Sequence, residues 1–311
     1  MTAPSEALHR IEETRTRGGV VAIGNFDGVH AGHRALLAHA ADLARREHVP
    51  WTVVSFFPPA KVLFGGAQFL SSRSEKHELL RDLGPEEVVI VPFDHDFAAT
   101  PAERFVEALT ALSPTAIVVG EDFRFGRDRK GATEDLGRAA PRVEVLRLVA
   151  IRGEIVKSST IRTALEAGDL ERANRLLGAP YLVAGTVVEG DRRGRTIGVP
   201  TANLETEAKK ALPSGVYAVT VDVPAAGRYW AMANVGPRPT FEGPGPSLEA
   251  HLFDFDGDLY GARLSVRLHV RLRDARRFEG IDDLRAQLAR DAEAARIALA
   301  RSDDPPAVRP G

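Results

Sequence analysis

Cysteine is missing from the 311-residue sequence. Its absence excludes disulfide bonds, thiolate catalysis, cysteine-ligated zinc and iron–sulfur clusters. Aromatic residues are also sparse, at 6% of the chain, and the formal net charge is only −2. A chain so close to neutral is not a globally basic nucleic-acid binder, so we expect no nucleic-acid partner.

Long hydrophobic runs are absent as well. No apolar stretch approaches the ~20 residues that cross a bilayer, and the polar beginning of the chain lacks the apolar centre of a secretory signal. We therefore expect a cytoplasmic protein without a membrane partner. Hydrophobic residues nevertheless make up 44% of the sequence, which is enough for two ordinary cores, and the length favours two domains.

Strand-like and helix-like segments alternate through the first half of the chain. Apolar runs predict strands at residues 20–25, 51–57, 87–91 and 116–119. Helical spacing of apolar residues predicts helices over 33–47, 75–83 and 101–112, and a closing helical stretch over 154–177. Such alternation indicates an α/β domain built on a parallel sheet.

The pattern changes near residues 178–180, which read Gly-Ala-Pro. Beyond this point, short segments rich in Val and Tyr are broken by Gly and Pro, which predicts a small antiparallel β-barrel. A terminal helix follows over 282–300. We therefore predict one domain over 1–180, a second over 181–301 and a disordered tail over 302–311.

The sequence GNFDGVHAGH, residues 24–33, lies between the first predicted strand and the first predicted helix. A strand–helix turn directs backbone N–H groups and the positive end of the helix toward one point, which suits phosphate. His30 and His33 are three residues apart and project to the same side of a helical turn. Gly28 and Gly32 permit close approach of a ligand to the backbone. The motif predicts a triphosphate cradle without a P-loop.

This motif resembles the GxFDGxHxGH form of the HxGH signature of nucleotidyltransferases, a form typical of FMN adenylyltransferases. The resemblance implies a Rossmann-like fold in which FMN displaces pyrophosphate from ATP, with His30 and His33 as catalytic residues that stabilise phosphate charge. Positioning and electrostatics would supply the acceleration without a covalent intermediate. The ATP-binding residues implied within the motif are Gly24, Phe26, Asp27, Gly28, His30, Gly32 and His33.

A second segment, VGEDFRFG at residues 119–126, is similar to the G-x-[ND]-F-x-F-G segment of the same family. The similarity implies flavin binding by Asp122, Phe123 and Phe125. The alternative is a capped turn with buried aromatic rings.

A third segment, KSSTIR at residues 157–162, is similar to the family's SSTxIR motif. The similarity implies that Ser158, Ser159 and Arg162 bind the triphosphate of ATP. Capping of the following helix is an alternative role for the two serines, and one that is compatible with the first.

Three positions depart from the family pattern. Lys157 takes the place of a serine, and Phe57 and Pro59 replace polar residues of the segment F-[DE]-P-[HQ]-P. These departures motivate an alternative function, in which a riboflavin kinase carries a weak adenylyltransferase or one of altered specificity. A catalytically silent flavin-binding protein is a further alternative.

The densest motif of the chain is GDRRGRTIGVPTANL, residues 190–204. Its glycines permit a tight loop around phosphate, and Thr201 and Asn203 offer neutral oxygen ligands suited to Mg²⁺. It resembles the GxxxGRxxGxPTANL motif of riboflavin kinases, in which the threonine and asparagine lie beside magnesium and the ATP phosphates. The implied ATP- and phosphate-binding residues are Gly190, Gly194, Arg195, Gly198, Pro200, Thr201 and Asn203, and the implied metal ligands are Thr201 and Asn203.

Glu249 lies in the segment LEAHLFDF, residues 248–255, which also resembles riboflavin kinases. Side chains alternate along a strand, so Glu249, His251 and Phe253 share one face. A lone glutamate on a strand is usually solvated, but the resemblance implies that Glu249 is the catalytic base that deprotonates the ribityl hydroxyl. We expect His251 to be a structural hydrogen-bonding residue.

Together the motifs resemble the bacterial bifunctional riboflavin kinase/FMN adenylyltransferase family over residues 20–295. The resemblance implies that ATP, riboflavin and FMN are substrates and that Mg²⁺ is the cofactor. We expect small molecules as the partners, and a monomer or a transient homo-oligomer.

Overall fold

A computed structural model of the chain describes residues 6–189, 200–237, 246–276, 278 and 280–301. The chain divides into two compact units, Met1–Ser158 and Ser159–Gly311. The predicted disordered tail, 302–311, lies outside the described residues.

The first unit is built on a five-stranded parallel sheet, as predicted. Its strands are β1 Val20–Ile23, β2 Trp51–Phe57, β3 Glu87–Pro92, β4 Ala116–Gly120 and β5 Val143–Leu146, and they pair in the order β3-β2-β1-β4-β5. The strand β5 was not predicted, because its sequence VEVL carries a glutamate and is only partly buried. The order reverses between β1 and β4, the point at which parallel sheets bind ligands beyond their carboxyl ends.

Helices cover both faces of this sheet. They are α1 Glu6–Glu12, α2 Ala31–Glu47, α3 Ala60–Gly65, α4 Arg73–Arg81, α5 His95–Ala98 and α6 Ala102–Thr110. Alternate residues of β1 serve opposite faces: Val21 packs with α1 and α6, whereas Val20 packs with α2. Apolar residues on both faces explain why the strands read as continuous hydrophobic runs.

The single helical stretch predicted over residues 154–177 is wrong. The structure has a two-stranded hairpin of β6 Ala150–Ile151 and β7 Glu154–Ile155, followed by two helices, α7 Ser158–Glu166 and α8 Leu170–Leu177. The break between the helices is at Gly168, whose φ is +72°, and at Asp169, whose carboxylate accepts a hydrogen bond from Arg172 N at 3.0 Å. A glycine followed by a capping aspartate ends one helix and begins the next.

The second unit is a closed antiparallel barrel with a C-terminal helix, again as predicted. Its strands are β8 Tyr181–Val188, β9 Ala202–Glu205, β10 Gly215–Val223, β11 Gly227–Pro237, β12 Pro246–Leu252 and β13 Arg263–Arg273, in the order β10-β11-β12-β9-β8-β13. The last helix, α9 Ile281–Leu299, packs Ala295 and Leu299 against Met232 and Phe253. An ion pair between the partly buried Arg273 and the buried Asp291, at 2.7 Å, fixes it to β13.

Within the described ranges, no helix has both the length and the apolar character needed to cross a membrane.

Asn174 joins α8 to two barrel strands. Its Nδ2 donates to Leu268 O at 2.9 Å, and its Oδ1 accepts from Tyr181 N at 2.9 Å. We predict that Asn174→Ala lowers the free energy of unfolding of the second unit by about 1–3 kcal/mol, because it leaves these half-buried backbone groups unpaired. Urea unfolding followed by Trp230 fluorescence, in a Trp51→Phe background, measures the change.

The matched control for Asn174 is Glu171→Ala, on the same helix. The Glu171 side chain is 91% exposed, so its removal should change the unfolding free energy by less than about 0.5 kcal/mol. Equal effects of the two substitutions would contradict the assignment.

Candidate active sites

The loop between β1 and α2 holds several residues in a left-handed backbone conformation. Phe26, Gly28 and Val29 have φ values of 45°, 79° and 42°, an arrangement that costs energy at non-glycine positions and is common at functional sites. The Phe26 ring is fully buried under the loop. A Cβ at Gly24 would lie 2.6 Å from that ring, so Gly24 is needed for the ring rather than for an open approach to the backbone.

His30 is the N-cap of α2. Its Nδ1 accepts a hydrogen bond from His33 N at 3.3 Å. The two imidazole rings stack with centroids 3.5 Å apart, and the edge of Phe26 contacts His33 with centroids 5.2 Å apart. A Cβ at Gly32 would lie 3.3 Å from the His30 ring. The structure therefore brings both predicted histidines together at the amino end of the helix, with Gly32 making room for one of them.

Burial keeps both imidazoles neutral at pH 7. It lowers the pKa of His30 to about 4. It also lowers the pKa of His33 well below its usual value, and the positive charge of Lys76, together with that of His30 when it is protonated, acts in the same direction. A neutral imidazole has one N–H donor and one acceptor nitrogen. Because His30 Nδ1 accepts, its proton lies on Nε2, and the pair presents donors rather than cations.

The segment just before α4 holds this loop in place. Asp27 Oδ1 accepts hydrogen bonds from Leu70 N at 2.9 Å and Ser71 N at 3.1 Å. In return, Gly28 N donates to Ser71 Oγ at 2.9 Å. The Asp27 carboxylate is only 2% exposed, so it organises backbone around the predicted phosphate site.

Lys76 belongs to the same region and was missed in the sequence. It lies on α4, is fully buried, and its Nζ donates to Asn25 O at 2.7 Å and to Phe56 O at 2.6 Å. Burial lowers its pKa to about 8. Its position four residues before the buried Leu80 places it on the apolar stripe of the helix, where a lysine is unusual.

The segment predicted to bind flavin follows β4, which is the neighbour of β1 in the sheet. Asp122 is exposed and Phe123 is half-buried, whereas Phe125 is 7% exposed and packs against Phe105 in the core. The Phe123 and Phe125 rings stack with centroids 5.7 Å apart. Of the two phenylalanines, Phe123 therefore has the more accessible ring.

The KSSTIR segment opens α7. Ser158 is the first residue of this helix, and its Oγ donates to Asp27 O at 3.1 Å, so it contacts the loop that carries the histidines. Ser159 is exposed and Arg162 is buried, one turn further along α7.

In the barrel, a polar row crosses three neighbouring strands. Glu249 on β12 pairs directly with Asn203 on β9 and with Asn234 on β11. Directly paired residues of antiparallel strands lie on the same face. The adjacent residues Leu248 and Ala250 are fully buried, so the polar row faces outward from the barrel. Sequence analysis missed Asn234, although the register brings it beside Glu249.

Residues before β9 adjoin this row. Pro200 and Thr201 are exposed, and His251 Nδ1 lies 2.7 Å from Pro200 O. A carbonyl oxygen only accepts, so Nδ1 carries the proton, and His251 acts as a hydrogen-bonding residue toward the backbone. The predicted phosphate-binding residues Gly190, Gly194, Arg195 and Gly198 lie outside the described residues.

A magnesium site needs hard oxygen donors. Within the part of the chain that the structure describes, no group of three or more His, Cys, Asp or Glu residues is arranged to hold a metal ion. Mg²⁺ usually takes one or two carboxylates together with substrate phosphates and water. The hydroxyl of Thr201, the amide oxygen of Asn203 and the carboxylate of Glu249, which is paired with Asn203, are donors of this kind.

Comparison with known proteins defines the class of this chain. A family model described as FAD synthetase matches residues 12–160, and one described as riboflavin kinase matches residues 177–299. A protein of this class joins an HxGH nucleotidyltransferase unit to a riboflavin-kinase barrel.

Relatives extend over nearly the whole chain. The bifunctional riboflavin kinase/FMN adenylyltransferase of Escherichia coli K12 is 38% identical, covering 93% of this chain and 95% of its own. That of Bacillus subtilis 168 is 36% identical, covering 92% and 94%. This chain belongs to the family of bifunctional riboflavin kinases/FMN adenylyltransferases.

A solved structure has a similar fold. It is described as a macrolide-efflux protein from Streptococcus pneumoniae, is 35% identical, covers 91% of this chain and 95% of its own, and superposes with a TM-score of 0.78.

The depressed pKa of His30 predicts acid sensitivity of the first unit. In the unfolded chain His30 has its ordinary pKa of 6.5, whereas in the folded protein its pKa is about 4. The unfolded state therefore binds more protons than the folded state between these two pH values. We expect His30 to contribute up to about 3 kcal/mol of stability above pH 6.5, which is lost as the pH falls to 4. Urea unfolding followed by Trp51 fluorescence, in a Trp230→Phe background, measures this dependence.

Two substitutions test the acid sensitivity. His30→Gln should lessen the loss of stability between pH 6.5 and 4 without abolishing it, because burial also lowers the pKa of His33. His9→Gln, at a side chain 58% exposed, should leave the loss as steep as before. A slope unchanged by His30→Gln would show that another group titrates.

Proposed function

We propose that this chain makes FMN from riboflavin and ATP in its barrel, and FAD from FMN and ATP in its α/β unit. The observation that carries the proposal is the coexistence of the two sites: a stacked histidine pair at the amino end of α2, and the row of Asn203, Glu249 and Asn234 on the barrel. The family supports both activities and lends no support to a weak or altered adenylyltransferase.

In the proposed adenylyltransferase, a phosphate oxygen of FMN attacks the α-phosphorus of ATP, and the bond to the β-phosphate breaks to release pyrophosphate. The neutral imidazoles of His30 and His33 donate N–H groups to the phosphates, and the amino end of α2 adds its backbone dipole. Preorganised donors of this kind act without reorganising during the reaction.

We assign the remaining predicted residues of this site to the same reaction. Ser158, Ser159 and Arg162 hold the triphosphate, with Ser158 also contacting the histidine loop. Phe123 contacts the isoalloxazine ring and Asp122 a hydroxyl group, since both follow β4 at the edge of the sheet where β1 ends. Gly24, Phe26, Asp27, Gly28 and Gly32 shape the loop around ATP.

In the proposed kinase, Glu249 removes the proton of the ribityl hydroxyl as its oxygen attacks the γ-phosphorus of ATP. Thr201 and Asn203 would hold Mg²⁺, which when bound would neutralise charge on the transferred phosphoryl group. Asn203 and Asn234 flank Glu249 on both sides and orient its carboxylate by hydrogen bonding. We also assign to ATP and phosphate binding the predicted residues Gly190, Gly194, Arg195, Gly198 and Pro200.

We further propose a domain boundary near residue 180, a cytoplasmic location, and a monomer or a transient homo-oligomer. The riboflavin kinase match begins at residue 177, which supports this boundary, whereas the two compact units divide earlier, after Ser158.

The direct test is to incubate the purified protein with riboflavin and Mg-ATP and to resolve the flavins by chromatography. We expect FMN to appear first and FAD to follow. Absence of FMN would refute the kinase, and failure to convert supplied FMN into FAD with ATP would refute the adenylyltransferase. A flavin–cytosine or flavin–guanine dinucleotide formed from CTP or GTP in place of FAD would show a different donor specificity.

Removing both histidines should separate the two activities. His30→Ala combined with His33→Ala should abolish FAD formation and leave the rate of FMN formation within about twofold, since the kinase residues lie in the other unit. Each reaction is measured separately, starting from riboflavin or from FMN. FAD formation by the double variant would show that the histidines are not the catalytic pair.

The opposite separation is expected at the barrel. Glu249→Gln keeps the size of the side chain but removes the base, and should lower kcat of FMN formation by about 10²–10⁴-fold. Adenylylation of supplied FMN by the same variant is the internal control and should be unchanged. A loss below tenfold would mean that Glu249 is not the base.

A further inference from the structure

We propose that Lys76 is a positioning residue of the adenylyltransferase site, because its ammonium group ties the end of β1 to the end of β2 and so fixes the loop that presents His30 and His33. This inference rests on the proposed function of that site. It concerns a residue of α4 that lies outside every motif of the sequence.

The geometry of Lys76 is that of a tie between strands. Its Nζ donates to the carbonyl of Asn25, two residues beyond β1, at 2.7 Å, and to the carbonyl of Phe56, the next-to-last residue of β2, at 2.6 Å. Asn25 O also accepts from Ser55 Oγ at 3.1 Å. Parallel strands that end at a ligand-binding edge leave carbonyl groups without ladder partners, and here two of them converge on one ammonium group.

The attachment point of Lys76 is itself rigid. The helix α4 begins with a capping box, in which Ser72 Oγ accepts from Glu75 N at 3.2 Å and Ser72 N donates to the Glu75 carboxylate at 2.7 Å. Leu70 and Ser71, just before the cap, hold Asp27 and Gly28. Residues 70–76 therefore hold the histidine loop in two ways: residues 70 and 71 through hydrogen bonds to Asp27 and Gly28, and Lys76 through its ammonium group.

The burial of Lys76 argues against a purely stabilising role. A fully buried ammonium group is costly, and a neutral side chain of similar length would pack at lower cost. Its charge opposes protonation of His33 and, in the wild-type arrangement, adds positive potential where the phosphates of ATP would bind. Buried groups with these properties cluster at functional sites.

The test compares Lys76→Met with Arg81→Met. Both substitutions remove one positive charge from α4, but Arg81 is exposed, whereas Lys76 is fully buried. We expect Lys76→Met to lower kcat for FAD formation from FMN by about 10–100-fold, with KM for FMN changed by less than threefold. Arg81→Met should stay within twofold, and FMN formation by the kinase should be unchanged in both variants.

Amide hydrogen exchange distinguishes positioning from simple stabilisation. Loss of kcat together with faster exchange confined to residues 25–30, while β1 and β4 stay protected, supports the proposal. Wild-type kcat in Lys76→Met overturns it, and so does loss of kcat that accompanies loss of protection throughout β1 and β4. Failure of the wild-type protein to adenylylate FMN would instead count against the proposed function.

Discussion

The reciprocal hydrogen bonding between the histidine loop and the segment before α4 is the constraint on which the first unit's chemistry depends. Asp27 accepts two backbone N–H groups from that segment, and Gly28 N donates back to Ser71 Oγ. These bonds are buried, so removing one partner would leave the other without a hydrogen bond and away from water, at a cost in stability. They fix a loop whose backbone includes strained positions at Phe26 and Val29, and they set the orientation of the helix end that carries the histidines.

The residues proposed for the two reactions lie on different frameworks. In the α/β unit, the residues proposed for the adenylyltransferase follow the strands, on loops at the carboxyl edge of the sheet, and their positions depend on loop geometry. In the barrel, Asn203, Glu249 and Asn234 lie within strands, and the register of the ladder alone sets their spacing. Their backbone is held by hydrogen bonds on both sides, and the neighbouring residues Leu248 and Ala250 are buried in the barrel interior.

The spacing of apolar and polar residues along the chain was enough to predict the elements that depend on residues close together in sequence. The run from Val20, the loop of residues 24–33 and the apolar stripe of α2 predicted the strand, turn and helix within two residues. The alternation around Glu249 predicted which of its neighbours share its face. The two errors each arise from one or two residues that an averaged pattern conceals. Glu144 hides the strand β5, and Gly168 with Asp169 divides the helical stretch predicted over residues 154–177.

The features that could not be predicted depend on contacts between residues that are distant in sequence. The hydrogen bonds of Lys76 are made with residues 51 and 20 positions away in sequence, and no local pattern identifies a lysine's distant carbonyl partners. The same holds for Asn234, whose place beside Glu249 follows from strand register. The two phenylalanines of residues 123–125 are equivalent as letters, yet one packs in the core against Phe105 and the other is partly accessible.

The contact between Gly24 and Phe26 links two positions that sequence alone would treat separately. A methyl group at Gly24 would occupy the volume of the Phe26 ring, so a side chain at position 24 and the ring at position 26 compete for the same volume. Among related chains, a larger residue at the first position should occur only with a smaller one at the second. Redesign of this turn must therefore change both residues as a pair.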